Sequence, residues 1–283
     1  MKLIAMIIAL MIAVMSVVAT ITPGSKSYNK PNPVAEIGKE IAKPLSQVDQ
    51  IGPELERVLD GAGVKLPSIS VGRSEKKVDH KHAVQDFNGA NFANVDLPRT
   101  NFASSFVSNA QFHDALLDGA SLEGATGDVV NFKGARMAKS ILNAAMFTNS
   151  DFSGAELREA KARAGDFTGS LFVDADLSFA SFAGAKLSKT NFRAAYIAGA
   201  SFVGADMTDA HFEGADLTGV RFARATLDKT NFTGANLKAA TFDGTKLLGA
   251  DFSAAVNLTT EQLAKACASS DTKLPQGVTA PRC

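Results

Sequence analysis

The chain has 283 residues, enough for one large domain or two ordinary ones. Its 29 Lys and Arg residues balance 29 Asp and Glu residues. This balance argues against a strongly basic nucleic-acid binder and against a strongly acidic mimic of nucleic acid. The aromatic residues are unusual, since the chain has 19 Phe but only two Tyr and no Trp. This bias indicates that particular positions select an aromatic ring without a polar atom.

Residues 1–21 have the composition of a targeting segment. Residues 3–21 carry no charge, and their only polar residues are Ser16 and Thr20. The stretch is at the short limit for spanning a bilayer, and its small residues favour cleavage after Ala19. Two alternatives stay open, a cleaved signal peptide or an uncleaved anchor in the inner membrane. Both predict that the rest of the chain is exported, most simply to the periplasm.

Residues 22–84 are predicted to form a linker with short amphipathic helices. The stretch 22–32 is polar and rich in Pro, Gly, Ser and Asn. Apolar residues then recur at helical spacing between residues 34 and 59, in pieces separated by Pro44 and Pro53. These helices are either a docking arm or spacer, or a cap that covers the first end of the domain that follows. We favour the cap, because an open end of a repeat domain needs covering.

From residue 85 the sequence repeats every five residues. Of 34 positions taken at intervals of five from Phe87 to Phe252, 17 hold Phe and 11 hold Leu. The residue two positions earlier is Ala in 21 of the 34 cases. A period of five fits neither an α-helix nor a flat strand. We therefore predict a chain that turns a corner every five residues, with the large and the small residue both facing inward.

A second period, of 20 residues, predicts four sides in each coil. One set of positions spaced by 20 holds only Phe, and the next set, from Leu97 to Leu237, holds only Leu, Met and Ile. This pattern predicts a narrow core in which rings stack on rings along the axis of a rod. The column that we assign to this structural core comprises Phe92, Phe112, Phe132, Phe152, Phe172, Phe192, Phe212, Phe232 and Phe252.

The repeat unit resembles that of the pentapeptide-repeat family over residues 85–255. The unit is Ala, then Asp or Asn, then Leu or Phe, then two further residues, as in KTNFTGANLKAATFDGTKL. The resemblance implies an all-β solenoid, a right-handed quadrilateral β-helix. With 20 residues in each coil, about 8.5 coils are expected. We expect short N-terminal helices before the solenoid and a C-terminal helical cap within residues 256–283.

The resemblance also raises an alternative function, because some members of this family imitate duplex DNA and bind topoisomerase. Those relatives use an acidic, dimeric rod. Residues 85–255 carry 19 Asp and Glu against 15 Lys and Arg, which is a weak negative surplus for such a mimic. Export would also separate the rod from a cytosolic target. We therefore expect no nucleic-acid partner and keep a DNA-mimicking, topoisomerase-binding protein as the alternative function.

Two repeats depart from the pattern of large inward residues. Gly127 and Ala162 stand at positions where Phe or Leu is usual. Each departure predicts a cavity or a local bulge, at a cost of about 2–4 kcal/mol if the space stays unfilled. A distorted coil at either position could also form a binding notch.

The outward positions are mostly polar. Short polar residues before the Phe column, such as Asn91 and Asp151, are expected to bond to neighbouring backbone at the corners. A protein partner would contact outward positions, so outward apolar residues are candidates for a partner-binding patch. These candidates are Phe106, Leu116, Leu171, Phe179 and Tyr196.

The repeat ends after Phe252. Thr259 and Gln262 have the spacing of a capping box, which predicts a short helix that closes the open end of the solenoid. Cys267 and Cys283 are the only cysteines. In an exported protein they could form a disulfide that contributes about 3 kcal/mol, and the sequence leaves their pairing open.

The sequence contains no recognisable catalytic arrangement. Its four histidines lie in a charged linker (His80 and His82) or at outward positions about five coils apart (His113 and His211). They cannot converge on one zinc ion without a second molecule. We therefore predict no enzyme, no metal and no cofactor. The predicted function is an exported, non-catalytic scaffold or protein-interaction surface with an unidentified protein partner. Membrane contact is expected only through an uncleaved N-terminal segment, and a homodimer stays open.

Overall fold

The computed structural model describes residues 85–283. The predicted signal peptide or anchor at 1–21 and the predicted linker with short helices at 22–84 lie outside the described residues. Within residues 85–283, no helix is long and apolar enough to cross a membrane.

The backbone winds into a four-sided parallel β-helix. Parallel bridges join each paired residue to the residue 20 positions later, as in the run from Asn91 to Gln111 to Asn131. The bridged residues form four ladders, and the period of 20 predicted from the sequence is the pairing period. Most pairs are single bridges. The regular strands are β1 (Thr126–Asp128), which pairs with β2 (Met146–Thr148), and β3 (Lys246–Leu247), which pairs with β4 (Cys267–Ala268).

Each side ends in a tight corner. The residue two positions after the large inward residue has a positive φ at every corner from Gly89 to Gly249. The following small residue donates its N–H to the carbonyl of the large one, as Ala115 does to Phe112 at 3.1 Å. Outside glycine, this conformation costs about 1–2 kcal/mol for most residues. Backbone hydrogen bonds between neighbouring coils hold the corners in place.

Asn and Asp residues of the ladders stiffen these corners, as expected. The Oδ1 atom of Asn91 accepts a hydrogen bond from the N–H of Ala93 at 3.0 Å, and that of Asp151 accepts from Ser153 at 2.8 Å. The same bond two residues along the chain is made by Asn131, Asn191, Asn231 and Asp251. Their role is therefore structural.

The predicted Phe column forms the spine of the core. Successive rings have centroids 4.4–5.2 Å apart and planes within 17° of parallel. Phe112 and every later member of the column are fully buried, whereas Phe92, at the first end, is partly buried. Rings of the neighbouring sides meet the column edge-on, as Phe202 does with Phe192 at 5.9 Å and 73°. Stacked and edge-on contacts are the favoured arrangements for aromatic pairs.

The cavity or bulge expected at Gly127 does not form. A Cβ atom added at Gly127 would lie 2.6 Å from Cγ2 of Val130 and 2.8 Å from Cγ2 of Val107. Val130 occupies a position that is usually Ala, so its extra methyl groups fill the space that a large inward residue would take. Gly127 also pairs in register with Phe147, so the backbone does not bulge. The prediction for Gly127 was therefore wrong.

The coil at Ala162 is also undistorted. Lys161, the ladder residue beside it, is bridged to both neighbouring coils with the usual step of 20 residues. The ring of Phe167 is tilted by 55° from that of Phe147 and leans over Gly165, where an added Cβ would lie 2.5 Å from the ring. Glycine at this small position provides room for the tilted ring. The bulge, and with it a notch formed by a distorted coil, was wrong for Ala162 as well.

A single helical turn lies beyond the last coil. Helix α1 spans Thr260–Leu263, with Thr259 as N-cap and Gln262 completing the capping box predicted from the sequence. The Nε2 atom of Gln262 also donates to the carbonyls of Leu237 and Ala240, both at 2.8 Å. These carbonyls belong to the last complete coil. The helix is therefore fastened to the end of the solenoid by side-chain bonds as well as by its buried leucine.

The segment after α1 continues two of the ladders. Cys267 pairs with Lys246 and forms a disulfide with Cys283, with the Cα atoms 4.8 Å apart. Lys273 pairs with Asp251 in the ladder of the Phe column, and its Nζ donates to Oδ2 of Asp251 at 2.8 Å. This hydrogen bond is the main reason that the pKa of Asp251 is lowered to about 2. The C-terminal segment thus extends the solenoid by pairing.

Removal of a column ring tests the core. We expect Phe192→Ala to lower the free energy of unfolding by about 3–5 kcal/mol, because it empties a fully buried site between two stacked rings. Phe179→Ala is the matched control, since Phe179 is 70% exposed and its loss should change stability by about 0.5 kcal/mol at most. Urea denaturation measures both. Equal effects of the two substitutions would contradict the assignment of Phe192 to the buried core.

The left-handed corner conformation predicts opposite effects on stability for the substitutions Val129→Gly and Gly184→Val. Val129 has φ 56° although a β-branched residue is strained there, so we expect Val129→Gly to stabilise the protein by about 1 kcal/mol. Gly184 has φ 69° and an added Cβ would meet no atom within 4 Å, so Gly184→Val should destabilise mainly through backbone strain. Thermal unfolding compares the two variants. A loss of stability in Val129→Gly would show that the corner is not left-handed.

Candidate functional site

The outward side chains form four faces, each following one ladder. A face comprises the ladder residue, the outward residue two positions later, and the corner residue that leads to the next face. Face A follows the ladder from Asp86 to Lys246, face B that from Asn91 to Asp251, face C that from Asp96 to Val256, and face D that from Asn101 to Thr241.

The five candidate patch residues lie on three different faces. Phe106 is a ladder residue of face A and Leu171 of face B, whereas Leu116 and Tyr196 belong to the ladder of face C, four steps apart. Phe179 is the corner residue at the end of face C. The prediction of one patch from all five was therefore wrong, because neighbours on this surface must be related by the 20-residue register. Of the five, only Phe179 and Tyr196 lie on the same face in consecutive coils.

Phe179 and Tyr196 are the two most exposed large apolar side chains in the described part of the chain, at 70% and 61%. They lie in consecutive coils, and the N–H of Phe179 donates to the carbonyl of Ala198 at 3.0 Å. The ring of Phe179 covers Gly199, where an added Cβ would lie 2.7 Å from two ring carbons. Glycine at 199 therefore provides the space in which this exposed ring lies, three residues after Tyr196.

A shallow groove of about 470 Å³ lies beside Tyr196, where face C meets the corner that ends face B. Three carboxylates, one guanidinium and the Tyr196 side chain line it, together with two small residues. The lining residues are Gly154, Ala155, Glu156, Arg158, Asp174, Asp176 and Tyr196. None of these lining side chains is a hydroxyl or thiol nucleophile paired with a histidine base.

One of the carboxylates is neutralised within the groove. The Nε atom of Arg158 donates to Oδ2 of Asp176 at 2.5 Å, and the N–H of Ser178 donates to Oδ1 at 3.0 Å. Partial burial raises the pKa of Asp176, but the hydrogen bonds from Ser178 and Arg158 outweigh it, so that the pKa lies below its usual value. Asp176 is thus ionised at neutral pH, and the pair adds no net charge.

The other two carboxylates accept no hydrogen bond from a cationic side chain among the described residues. The nearest guanidinium to Glu156 is that of Arg136, with its Nε 4.0 Å from Oε2, and Arg136 also bonds Asp118 at 2.6 Å. Asp174 is in no ion pair with another described residue and holds the corner conformation at φ 56°. The groove therefore carries net negative charge next to an exposed aromatic ring.

The remaining candidate chemistry lies elsewhere. His113 and His211 are on face B, and each lies 3.2 Å from a neighbouring carboxylate, Asp114 and Glu213 respectively. His80 and His82 fall outside the described residues. Within residues 85–283, no group of three or more His, Cys, Asp or Glu side chains could hold a metal ion.

The groove gave no local signal in the sequence. Asp174 and Asp176 lie in Asp-Ala-Asp, and Asp-Ala or Ala-Asp occurs throughout the repeats. The usable signal was the 20-residue register, which places Asp176 directly before Tyr196 in one ladder. The same register places Asp174 one coil after Gly154, so that a column of corners supplies the other wall.

Several solved structures of pentapeptide repeat proteins are similar to this chain at low identity. HetL, involved in heterocyst differentiation regulation in the cyanobacterium Nostoc sp. strain PCC 7120, is 19% identical, with 69% of this chain and 86% of that chain covered and a TM-score of 0.27. A trypsin-treated form of QnrB1, a plasmid-mediated fluoroquinolone resistance protein, is 18% identical, with 66% and 92% covered and a TM-score of 0.41. A protein from the thylakoid lumen of Arabidopsis thaliana is 24% identical, with 48% and 66% covered and a TM-score of 0.19.

No curated protein sequence matches the chain. Two family models do match. The model of a pentapeptide repeat region covers residues 175–252. The model of pentapeptide repeats (8 copies) covers four overlapping stretches, residues 86–124, 108–143, 130–161 and 142–172. Together they cover more than half of the chain, which therefore belongs to the pentapeptide-repeat family.

Proposed function

We propose that this chain is an exported, non-catalytic rod, a right-handed quadrilateral β-helix of about 8.5 coils, that serves as a scaffold with a protein-interaction surface on face C. The observation that carries this proposal is that face C exposes both Phe179 and Tyr196, and that Tyr196 also lines the groove. Exposed aromatic side chains on a rigid surface are typical centres of protein-protein contacts.

The construction of the rod favours such a role. The core uses only the inward positions, so the outward residues of any face are free to contact a partner. The backbone under Tyr196 is bridged to both Asp176 and Asp216, which restrains it before binding. Binding of a partner here therefore costs little free energy for ordering the backbone of this surface.

Export is supported by two features of the chain. Residues 3–21 form an uncharged apolar segment next to a plausible cleavage site. The disulfide between Cys267 and Cys283 fits an oxidising compartment, since such bonds are rare in cytosolic proteins. A rod released by cleavage would be soluble in the periplasm, and an uncleaved one would stay beside the inner membrane.

Topoisomerase binding through mimicry of DNA has less support. The charges are divided among the faces: face B carries five Asp and Glu against two Lys and Arg, whereas face D carries four Lys and Arg against two Asp and Glu. Duplex DNA presents one negative charge per ~1.7 Å of its axis on every side. The basic face D does not fit that pattern.

A crosslinking experiment in the native cells tests this function. The full chain with a C-terminal tag receives a photocrosslinking amino acid in place of Tyr196 or, as the control on face A, of Phe106. We expect the tagged rod in the exported fraction and a protein adduct at position 196 but not at 106. Tagged rod confined to the cytosol and crosslinked to topoisomerase would establish the alternative instead. Equal adducts at both positions would contradict face C as the surface.

A further inference from the structure

We propose that the groove beside Tyr196 binds a lysine- or arginine-bearing segment of a protein partner. In this arrangement the cationic group lies near the carboxylates of Glu156 and Asp174 and against the face of the Tyr196 ring. This inference rests on the proposed function and names the chemistry of its partner.

The net negative charge of the groove favours a cationic occupant. Arg158 and Asp176 neutralise each other through their hydrogen bond of 2.5 Å, so the net charge of the groove comes from Glu156 and Asp174. Both carboxylates lie at the surface, where an approaching cation gains by pairing with them. An acidic segment would be repelled by these two charges, and a neutral segment would not compensate them.

The aromatic side chains favour a cation in the same place. An ammonium or guanidinium group over the face of Tyr or Phe is attracted by the ring quadrupole, most strongly when water is excluded. Tyr196 is itself a lining residue of the groove, and Phe179 lies in the preceding coil on the same face. The long apolar stem of Lys or Arg can pack against the Tyr196 ring while its head reaches the carboxylates.

The small lining residues leave the carboxylates accessible. A Cβ atom added at Gly154 would have no neighbour within 4 Å, and Ala155 contributes no long side chain. No side chain at position 154 therefore covers the carboxylate of Asp174. The groove volume of about 470 Å³ lies within the usual range of sites for small ligands, so it can hold one long side chain.

The tyrosine content allows a direct binding measurement on the full chain. Tyr28 and Tyr196 are the only tyrosines and there is no Trp, so Tyr28→Phe leaves Tyr196 as the single strong intrinsic fluorophore. The probes are three blocked peptides in which glycine alternates with lysine, with glutamine or with glutamate. We expect a saturable change of Tyr196 fluorescence with the lysine peptide alone, weakened by added salt. An equal response to the glutamine peptide would overturn the proposal.

Matched charge removals separate the groove from the general charge of the rod. Glu156→Gln combined with Asp174→Asn should weaken binding of the lysine peptide about tenfold or more, since two charge contacts are lost. Glu123→Gln combined with Asp209→Asn removes the same two charges from other faces and should leave binding unchanged. Asn tolerates the corner conformation at both 174 and 209, so the two variants should be equally well folded. Equal weakening by both pairs would overturn the proposal.

The crosslinked segments distinguish this inference from the proposed function. Mass spectrometry of adducts formed at position 196 identifies the stretch of partner that lies in the groove. Segments rich in Lys or Arg would support the inference. Segments without either residue would overturn it and leave face C as an interaction surface. Selective binding of the lysine peptide without any protein adduct at 196 would support the inference and count against the proposed function alone.

Discussion

The stacked rings of the Phe column fix the register of the whole solenoid. Their centroids lie 4.4–5.2 Å apart, close to the ~4.8 Å spacing of hydrogen-bonded β-chains, so each coil supplies one ring per step. This match requires 20 residues in every coil, because a change of one residue would turn a ring out of the core. The neighbouring sides then adapt to the column, either with aliphatic side chains or with rings that meet it edge-on.

This constraint explains why the surface is free to vary. In each group of five residues, two positions serve the core, and the corner needs a left-handed residue that is often Gly, Asn or Asp but also Ala, Lys or Phe. The cost of that conformation is met by hydrogen bonds to the adjacent coils. An exposed ring such as Phe179 can therefore stand at a corner, provided that the next coil offers a small residue beneath it, as Gly199 does. The residues that determine the function of such a rod are therefore expected in its outward columns.

Much of the fold could be predicted from the sequence, because the repeat places one requirement on the same position again and again. The periods of five and 20, the Phe column and the capping box of Thr259 are all recognisable in the residue order. Gly127 was misjudged because its compensation comes from Val130 and Val107, and the second of these lies one coil away. The groove was missed for a related reason, since its charge balance depends on the pairing of Arg158 with Asp176 across coils. Effects that depend on contacts between coils need the geometry as well as the period.

The most direct test of the central claim is the stability of two insertions. Duplication of residues 183–202 adds one full coil and keeps every ring of the column above another ring. Duplication of residues 198–202 adds one side only, so that the column is interrupted: Phe212 would lie against Ile197 instead of Phe192, and Phe192 against Met207. We expect the first variant to unfold cooperatively near the wild-type temperature and the second to be clearly less stable, as measured by calorimetry. Equal stability of the two variants would show that the Phe column does not set the register.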